Sequence, residues 1–528
     1  MRGGIQRLWD GIGGVPGRPG ATAFLLVAAC LIAYAGSPLN TFVIDDHQIV
    51  LGNPLVTDPG RAFEAFTSPY QGNERHDLLY RPLTVLTLSA QWALHGPVPG
   101  LFHAVNVLLH IVATLLAWAL ARALIPGRPM AALLAGLIFA VHPIHTDAVC
   151  SVVNRSEVLA AAFAMAGFLA WRRWLLGGKA PWLAAAGAAY LAAVLSKEGG
   201  APLLAFAAAW ALPAAHRTRR PAVVAAGWAA AFVLPAAVYL ALRANALDGV
   251  LVASVNRYFA TVGPWQTFLT MAGIGARYLA LLVVPYPLSP DYSFDSLPMA
   301  GSPFEPWPLA GLLVIPAAMA ATAWLVFRRS DESRGAGFGL LWFGLFMAPT
   351  ANIIPIMVPM AERFTYSASA GLFVAAGLVL ARLPGRGRGL GGLALAIVLA
   401  GMVSMTAARV QTWRDDLTLA ADTVATFPRN AIMLANLGAA LAWEGQAGPA
   451  VEAFRRALEL APQKWDFRVT LARLLHDSGL HRDEADLLLA GLRFGGRSLE
   501  DRGRICDAVV EAQPGIDREA CLQRLPDR

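Results

Sequence analysis

Residues 130–161 read "MAALLAGLIFAVHPIHTDAVCSVVNRSEVLAA", an apolar run that ends in a block of polar and charged residues and then turns apolar again. Two such runs joined by a short polar loop are typical of a pair of membrane-crossing helices. The whole chain repeats this pattern, since 56% of its 528 residues are apolar and only 15% are charged. The sequence therefore predicts an all-α protein that crosses a membrane many times.

Apolar runs that are long enough, or nearly long enough, to cross about 30 Å of hydrocarbon predict about eleven spans. These runs begin near Ala21, Leu101, Met130, Val158, Pro181, Ala201, Pro221, Trp307, Gly335, Tyr366 and Leu390. A further stretch, residues 259–286, contains Arg277 and predicts zero or two crossings. A single crossing there would invert the orientation of every later loop.

Basic residues cluster in alternate loops, which predicts a cytoplasmic N-terminus. The clusters are Arg2, Arg7 and Arg18; Arg122 and Arg128; Arg172, Arg173 and Lys179; Arg217, Arg219 and Arg220; Arg328, Arg329 and Arg334; and Arg382, Arg386 and Arg388. The complementary outer loops are residues 38–98, 142–157, 196–200, 243–306 and 349–365. The formal net charge of +7 is explained by this orientation signal, so we expect no nucleic-acid partner.

After Ala408 the composition becomes charged and helical, which predicts a membrane domain at 1–408 and a separate domain at 409–528. The segment "AIMLANLGAALAWEGQAGPAVEAFRRALELAPQK", from Ala431, has small and large residues at the positions of a 34-residue tetratricopeptide repeat. Residues 416–428 and 465–492 look like partial repeats. The domain is interpreted either as a groove for an extended polypeptide or as a structural lid or dimer contact. Cys506 and Cys521 could form a disulfide in an oxidising compartment.

Ionisable residues gather in the outer loops, where charge beside hydrocarbon is costly and is usually functional. The candidate site residues are Asp45, Asp46, Arg81, His142, His145, Asp147, Arg155, Glu157, Lys197, Glu198, Arg277, Glu362, Arg363 and Tyr366. Structural alternatives stay open: a helix-end turn for Asp45 and Asp46, an internal pair for Lys197 and Glu198, and plain interfacial positions for residues 362–366.

Asp45, His145 and Asp147 are candidate ligands for a divalent metal, because carboxylates and imidazoles are common metal ligands. The proline between His142 and His145 argues against a regular helix that would place both rings on one face. The alternative is that these residues form the hydrogen-bonding wall of a polar pocket.

An ordered set of motifs resembles one known family. "DDHQIVLGNP", "YRPLTVLT", "FHAVNVLLH", "AVHPIHTDAV", "NRSEVLAA", "LSKEGG", "PLSPDYSF" and "AERFTYSASAG", followed by repeats, resemble the transmembrane and tetratricopeptide-repeat (TMTC) proteins. These are related to the protein O-mannosyltransferases of the GT-C superfamily. Two features depart from the family: Asp147 and Asn154 stand where Glu and Gly are usual, and the repeat array is short.

The resemblance implies a GT-C type helical core that transfers a sugar, mannose or another hexose, from a polyprenyl-phosphate carrier to Ser or Thr hydroxyls of proteins. Transfer would occur with inversion, on the outer side of the membrane. The family's general base is an acidic residue in the first outer loop, so Asp45 is the implied base and Asp46 its neighbour.

Elementary chemistry agrees with this assignment, because a hydroxyl nucleophile needs a base and a phosphate leaving group needs fixed cations. Lys197, Arg277 and Arg363 are the first candidates for those cations, and Arg81 and Arg155 are the second. Asp147 and His145 are candidates for orienting sugar hydroxyls.

Two other function classes stay open: a carrier-dependent transferase that modifies a glycan or lipid, and a non-catalytic scaffold that anchors the repeats. The abundance of alanine, arginine and glycine is typical of high-GC bacterial coding. It favours a bacterial inner membrane, an undecaprenyl-type carrier and a periplasmic repeat domain.

Overall fold

The computed structural model describes residues 17–72, 79–214, 220–249, 259, 262–292, 296–353, 356, 358–382, 388–491, 499–512 and 516–524. Within these ranges the regular structure is helical. The predicted cytoplasmic residues Arg2, Arg7, Arg217, Arg219 and Arg386 lie outside them. The chain divides into two compact units: residues 1–290 with 299–414, and residues 291–298 with 415–528.

The first unit is a bundle of apolar helices. Its α-helices are α1 Pro19–Ala33, α2 Pro54–Thr57, α3 Pro82–His95, α4 Pro99–Leu124, α5 Pro129–Val141, α6 Thr146–Cys150, α7 Arg155–Leu175, α8 Ala180–Ser196, α9 Leu203–Ala214, α10 Pro221–Trp228, α11 Leu234–Ala246, α12 Pro264–Leu281, α13 Pro306–Val326, α14 Asp331–Met347, α15 Thr365–Leu380 and α16 Arg388–Thr412. Short 3₁₀ turns include Pro143–His145, Glu198–Gly200 and Glu362–Phe364, and π turns occupy His47–Leu51 and Ala229–Val233.

The number of helices that can cross a membrane is smaller than predicted. In the described part of the chain, 7 helices are long and apolar enough, or 8 if the bent pair α5 and Pro143–Cys150 is one span. Each predicted run does form a helix, but α8 and α14 have 17 residues and α9 has 12. At 1.5 Å per residue these helices rise only about 18–26 Å, which is less than the hydrocarbon thickness. The protein is an integral membrane protein in which 7 or 8 of the described helices have the length of a full span, against about eleven predicted runs.

Glycines bring the membrane helices into backbone contact. A Cβ added at Gly339 on α14 would lie 2.6 Å from the carbonyl oxygen of Gly371 on α15, and one added at Gly371 would lie 2.3 Å from the oxygen of Gly339. Small residues let helices pack closely in a membrane, where van der Waals contact replaces the hydrophobic driving force that acts in water. The α14–α15 crossing therefore has no room for a larger residue at either position.

Asp46 joins the first outer loop to the second. Its side chain is completely buried and accepts hydrogen bonds from the backbone N–H groups of Val43 (3.3 Å), Val152 (3.3 Å) and Val153 (2.9 Å). Burial raises the pKa of this carboxyl group to about 7, although the three N–H donors favour its charged form. Ile44 just before it has a positive φ of 49°, an uncommon conformation for a β-branched residue.

The second unit is built from seven further helices. They are α17 Asp416–Thr426, α18 Ala431–Trp443, α19 Ala447–Leu460, α20 Trp465–Asp477, α21 His481–Gly491, α22 Leu499–Ala512 and α23 Arg518–Arg524. Leu434, Phe454 and Leu471 belong to one core that unites α18, α19 and α20. Cys506 and Cys521 form a disulfide between α22 and α23. The assignment of these helices to tetratricopeptide repeats stays a prediction.

Residues 291–298 come from the loop between α12 and α13 but belong to the second unit. Asn430 caps α18 by accepting a hydrogen bond from the Met433 N–H, and its amide donates to the Asp291 carboxylate (2.8 Å) and to Ser296 (3.0 Å). The ring of Tyr292 packs against Phe427. The "PLSPDYSF" motif is therefore partly a structural element of the second unit.

Gly438→Ala should destabilise the second unit by about 1–3 kcal/mol, because an added Cβ would lie 2.6 Å from the Phe454 ring. Gly448→Ala is the matched control, since nothing lies within 4 Å of its Cβ position and alanine favours a helix. Thermal unfolding followed by circular dichroism should show a lower melting temperature for Gly438→Ala only. Equal melting temperatures for the two variants would contradict this packing.

Asp46 should make stability depend on pH. Because the pKa of Asp46 is raised to about 7, the folded state keeps a proton that the unfolded state loses near pH 4. The free energy of unfolding therefore falls as pH rises from about 4 through about 7. The melting temperature of Asp46→Asn should therefore fall less between pH 5 and pH 8 than that of the wild type. Glu64→Gln, at an exposed position of the same loop, should keep the wild-type slope. Parallel curves for wild type and Asp46→Asn would overturn the assignment.

Candidate active site

Three ion pairs join residues at or next to the ends of α3, α6, α7, α8 and α15, and the first is Arg81 with Glu198. The Arg81 guanidinium donates from Nη2 to Oε1 (2.7 Å) and from Nε to Oε2 (3.2 Å), which is a two-pronged geometry. Arg81 precedes α3, where Pro82 opens the helix, and it also lies 5.4 Å from the centre of the Tyr70 ring. The Arg81 guanidinium is thus contacted by both a carboxylate and an aromatic ring.

Lys197 and Glu157 form the second pair. Their side chains are only 8% and 6% exposed, and the ammonium donates directly to Oε1 of Glu157. Glu157 lies in the first turn of α7, and Lys197 ends α8. Burial lowers the pKa of Lys197, while Glu157 acts against that shift. A buried pair of this kind keeps its geometry because losing either partner would strand a charge.

Arg363 and Asp147 form the third pair. Oδ2 of Asp147 accepts from the Arg363 backbone N–H (3.0 Å) and lies 3.4 Å from its Nη1, while Oδ1 accepts from the Asn154 amide (2.9 Å). Asp147 is 1% exposed, but the Arg363 side chain is 20% exposed. The Phe364 ring lies 5.5 Å from the Arg363 guanidinium and 5.2 Å from the Lys197 ammonium, so one ring contacts two cations.

Asp45 is the exposed acid beside these pairs. It is within electrostatic range of Arg363, which is also in range of Asp147, Glu157 and Arg81. Lys197 is in range of Arg81, Glu198 and Arg363. The three pairs and Asp45 thus form one group, the outer charge cluster: Asp45, Arg81, Asp147, Glu157, Lys197, Glu198 and Arg363.

The outer charge cluster contains the parts that a transfer reaction needs. Asp45 can accept a proton from a bound hydroxyl because its carboxylate is open to solvent and makes no hydrogen bond among the described residues. Arg363 uses one guanidinium nitrogen on Asp147, and its side chain is partly exposed, so it can also bind an anion. Lys197 and Arg81, the other two cations of the cluster, are each paired with a carboxylate.

The predicted histidines and Tyr366 lie elsewhere, in a buried aromatic group. Nδ1 of His145 lies 2.9 Å from the Phe139 carbonyl oxygen, and its Nε2 lies 2.9 Å from the Ser369 hydroxyl oxygen. Both ring nitrogens therefore take part in hydrogen bonds. Nε2 of His142 lies 3.2 Å from the Leu282 carbonyl oxygen, and the Tyr366 hydroxyl lies 2.7 Å from Nδ1 of His110. These contacts hold helices together.

The predicted metal site is not assembled by this arrangement. In the described part of the chain, Asp45, His145 and Asp147 do not belong to a group of converging ligand atoms. His145 has no nitrogen left for a metal, and Asp147 is bound to Arg363 and Asn154. The three residues therefore lack the converging ligand atoms that a metal ion needs.

Four other candidate residues make their described contacts with groups outside the outer charge cluster. Arg155 is fully buried and donates to neutral acceptors, among them Asn106 Oδ1 (2.8 Å) and Gln91 Oε1 (2.7 Å). Glu362 is buried and accepts from the Ser289 N–H. Arg277 lies over the Trp307 ring at 4.5 Å, and Asp46 is the buried loop connector described above.

Sequence reasoning did not select two residues that shape the cluster. Phe364 separates the Lys197 and Arg363 cations, and Asn154 fixes the Asp147 carboxylate. An aromatic residue between charged and polar neighbours in "ERFTY" was the available signal for Phe364. Asn154 was visible in the second outer loop, but its partner could not be read from spacing alone.

The chain was compared with known proteins. No protein-family model matches it. It is 24% identical over 447 residues to the protein O-mannosyl-transferase F38B6.6 of Caenorhabditis elegans, which covers 83% of this chain and 62% of the relative. It is 25% identical over 528 residues to the protein O-mannosyl-transferase Tmtc3 of Drosophila melanogaster, covering 86% and 56%. Human protein O-mannosyl-transferase TMTC1 is 38% identical over 175 residues, covering 31% and 20%.

The chain thus spans at most about three fifths of the length of these curated relatives. Among solved structures, the crystal structure of ArnT from Cupriavidus metallidurans bound to undecaprenyl phosphate covers 88% of this chain and 79% of its own. Its TM-score is 0.38 at 17% identity, which supports no conclusion. The resemblance inferred from the outer-loop motifs is nevertheless confirmed by the sequence comparison: the curated homologues of this chain are the TMTC protein O-mannosyl-transferases.

Proposed function

We propose that this protein is an inverting glycosyltransferase that moves mannose, or another hexose, from a polyprenyl-phosphate carrier to Ser or Thr hydroxyls of proteins on the outer side of the membrane. One observation carries the proposal. The exposed carboxylate of Asp45 is within electrostatic range of Arg363, in a cluster whose cations are each paired with a carboxylate near a helix end.

The curated relatives support the same class of activity, since their names describe protein O-mannosyl transfer. These two relatives match more than four fifths of this chain. A carrier-linked donor suits a site at the membrane edge. The lipid tail stays in hydrocarbon while the sugar reaches polar groups.

In the proposed reaction the acceptor hydroxyl oxygen attacks the anomeric carbon of the sugar. The new carbon–oxygen bond forms as the bond between that carbon and the phosphate oxygen breaks, so the configuration inverts. The hydroxyl proton passes to Asp45, and the carrier phosphate leaves with the bonding electron pair. Help from a positioned base is typically worth about 10²–10⁴ in rate.

The leaving phosphate needs fixed positive charge. Arg363 is the first candidate, because its guanidinium is partly exposed and its backbone is anchored on Asp147. Lys197 and Arg81, the other two cations of the cluster, are each held by a carboxylate. Cations already held in place need little reorganisation as charge develops on the phosphate.

The outer side is proposed to be an oxidising compartment, the periplasm of a bacterium. The disulfide between Cys506 and Cys521 supports this, because disulfides persist mainly outside the cytosol. The second unit is proposed to bind the polypeptide acceptor through its helical repeats, since stacked helix pairs form extended concave surfaces.

Asp45→Asn should lower kcat for transfer of a hexose from synthetic polyprenyl-phosphate mannose to a Ser/Thr-rich peptide by about 10²–10⁴. The reason is that an amide cannot take the hydroxyl proton. Product formation by purified protein in lipid nanodiscs, measured by mass spectrometry, checks this. Wild type and Asp45→Asn should be compared at equal protein concentration, and their melting temperatures should be equal.

Glu64→Gln is the matched control, because Glu64 is an exposed acid in the same loop whose pair with Arg61 contributes little. It should keep full activity. Unchanged kcat in Asp45→Asn would overturn Asp45 as the base. Transfer of hexose to a lipid or glycan acceptor but never to peptide would favour the other transferase class. No transfer by wild type from any of several donors would favour the scaffold.

Arg363→Lys should raise KM for the lipid-linked donor by about 10-fold or more, because a lysine cannot reproduce a two-pronged contact with phosphate. A hydrogen bond to a charged group is worth about 1.5–3 kcal/mol, which is consistent with that change. Arg61→Lys, at the exposed pair in the first loop, is the control and should leave KM unchanged. Equal KM values for the two variants would remove Arg363 from phosphate binding.

A further inference from the structure

The second unit contains a group of four side chains whose ligand atoms converge on one point. These are His476, His481, Glu484 and Glu511, and their ligand atoms all lie within 4.8 Å of one another. They come from three helices: His476 from the end of α20, His481 and Glu484 from the first turn of α21, and Glu511 from the end of α22. Nothing in the proposed transferase chemistry uses them.

The four His–Glu separations are close to those around a tetrahedral ion. Nδ1 of His476 lies 3.2 Å from Oε2 of Glu484 and 3.1 Å from Oε2 of Glu511. Nδ1 of His481 lies 3.7 Å and 3.4 Å from the same two oxygens. Four ligands placed about 2.1 Å from a zinc ion at the corners of a tetrahedron stand about 3.4 Å apart.

The group also has an unused ligand atom. Nδ1 of His481 is shielded from solvent and makes no hydrogen bond within the described ranges of the chain. The His481 side chain is 37% exposed and this nitrogen lies 3.4 Å from the nearer carboxylate oxygen, so a metal ion at the centre would give it a ligand bond.

The charge of the group is compatible with a bound dication. Glu484 and Glu511 bring two carboxylates together, and Asp477 is within electrostatic range of His476. Like charges this close need compensation, either by protons on both histidines or by one divalent ion. Two neutral imidazoles with two carboxylates form a donor set that suits zinc.

We propose that His476, His481, Glu484 and Glu511 bind one structural zinc ion that joins α20, α21 and α22. Such an ion would reinforce the small core in which Ala472, Leu488 and Ile505 pack. Four protein ligands close the coordination sphere, which is the arrangement of structural rather than catalytic zinc. The role is therefore to stabilise the last helices of the second unit, and binding would add to its folding free energy.

The test uses the full-length protein in detergent, with its affinity tag removed and its metals stripped by EDTA. After incubation with ZnCl₂ and desalting, elemental analysis should find about one zinc per chain, and zinc should raise the melting temperature. The double variant His476→Ala/His481→Ala should lose both effects. Glu459→Gln, which removes an exposed carboxylate from the neighbouring α19, should retain both.

Wild type that retains no more zinc than the double variant would overturn the proposal, as would a double variant that still binds one zinc. If the double variant loses its helical circular dichroism, Glu511→Gln replaces it, because Glu511 is 46% exposed and its change spares the histidines. Retention of one zinc at wild-type affinity in Glu511→Gln would likewise overturn the four-ligand site. These outcomes do not depend on transferase activity.

Discussion

Charge at the edge of a membrane must be paired, and the outer face of this protein is organised by that constraint. An unpaired ion next to hydrocarbon is costly, so Arg81, Lys197 and Arg363 each have a carboxylate from another segment of the chain. The pairs link α3 and α7 to the end of α8, and α6 to the turn before α15. Asp46 meets the same requirement differently, through three backbone N–H donors. This connectivity leaves Asp45 as the exposed acid of the proposed site.

Much of this could be predicted from the sequence. Long apolar runs between arginine-rich loops indicated a helical membrane protein, and the ordered outer-loop motifs indicated the relatives that the comparisons found. Residues such as Asp147, Lys197 and Arg363 were selected because ionisable groups rarely occur at that depth without a purpose. The structure brings these three into one cluster even though they are far apart in sequence.

The remaining features depend on tertiary contacts that no local pattern encodes. Adjacent Asp45 and Asp46 look equivalent in sequence, yet one is exposed and the other is completely buried. Arg155 resembles the other candidate arginines but bonds to neutral oxygens inside the bundle. The number of full spans was overestimated because hydropathy reports composition and not helix length. The His and Glu side chains of the second unit converge from three helices, so spacing alone did not reveal them.

The central claim is that a lipid-linked sugar binds at the outer charge cluster. The most direct measurement is photo-crosslinking of the protein in nanodiscs with a polyprenyl-phosphate mannose analogue that carries a diazirine on its sugar, followed by peptide mapping. Crosslinks are expected in the segments that contain Asp45, Arg81, Lys197 and Arg363, and unlabelled donor should compete for them. Crosslinks that are competed by donor but map only to segments away from these residues would contradict it.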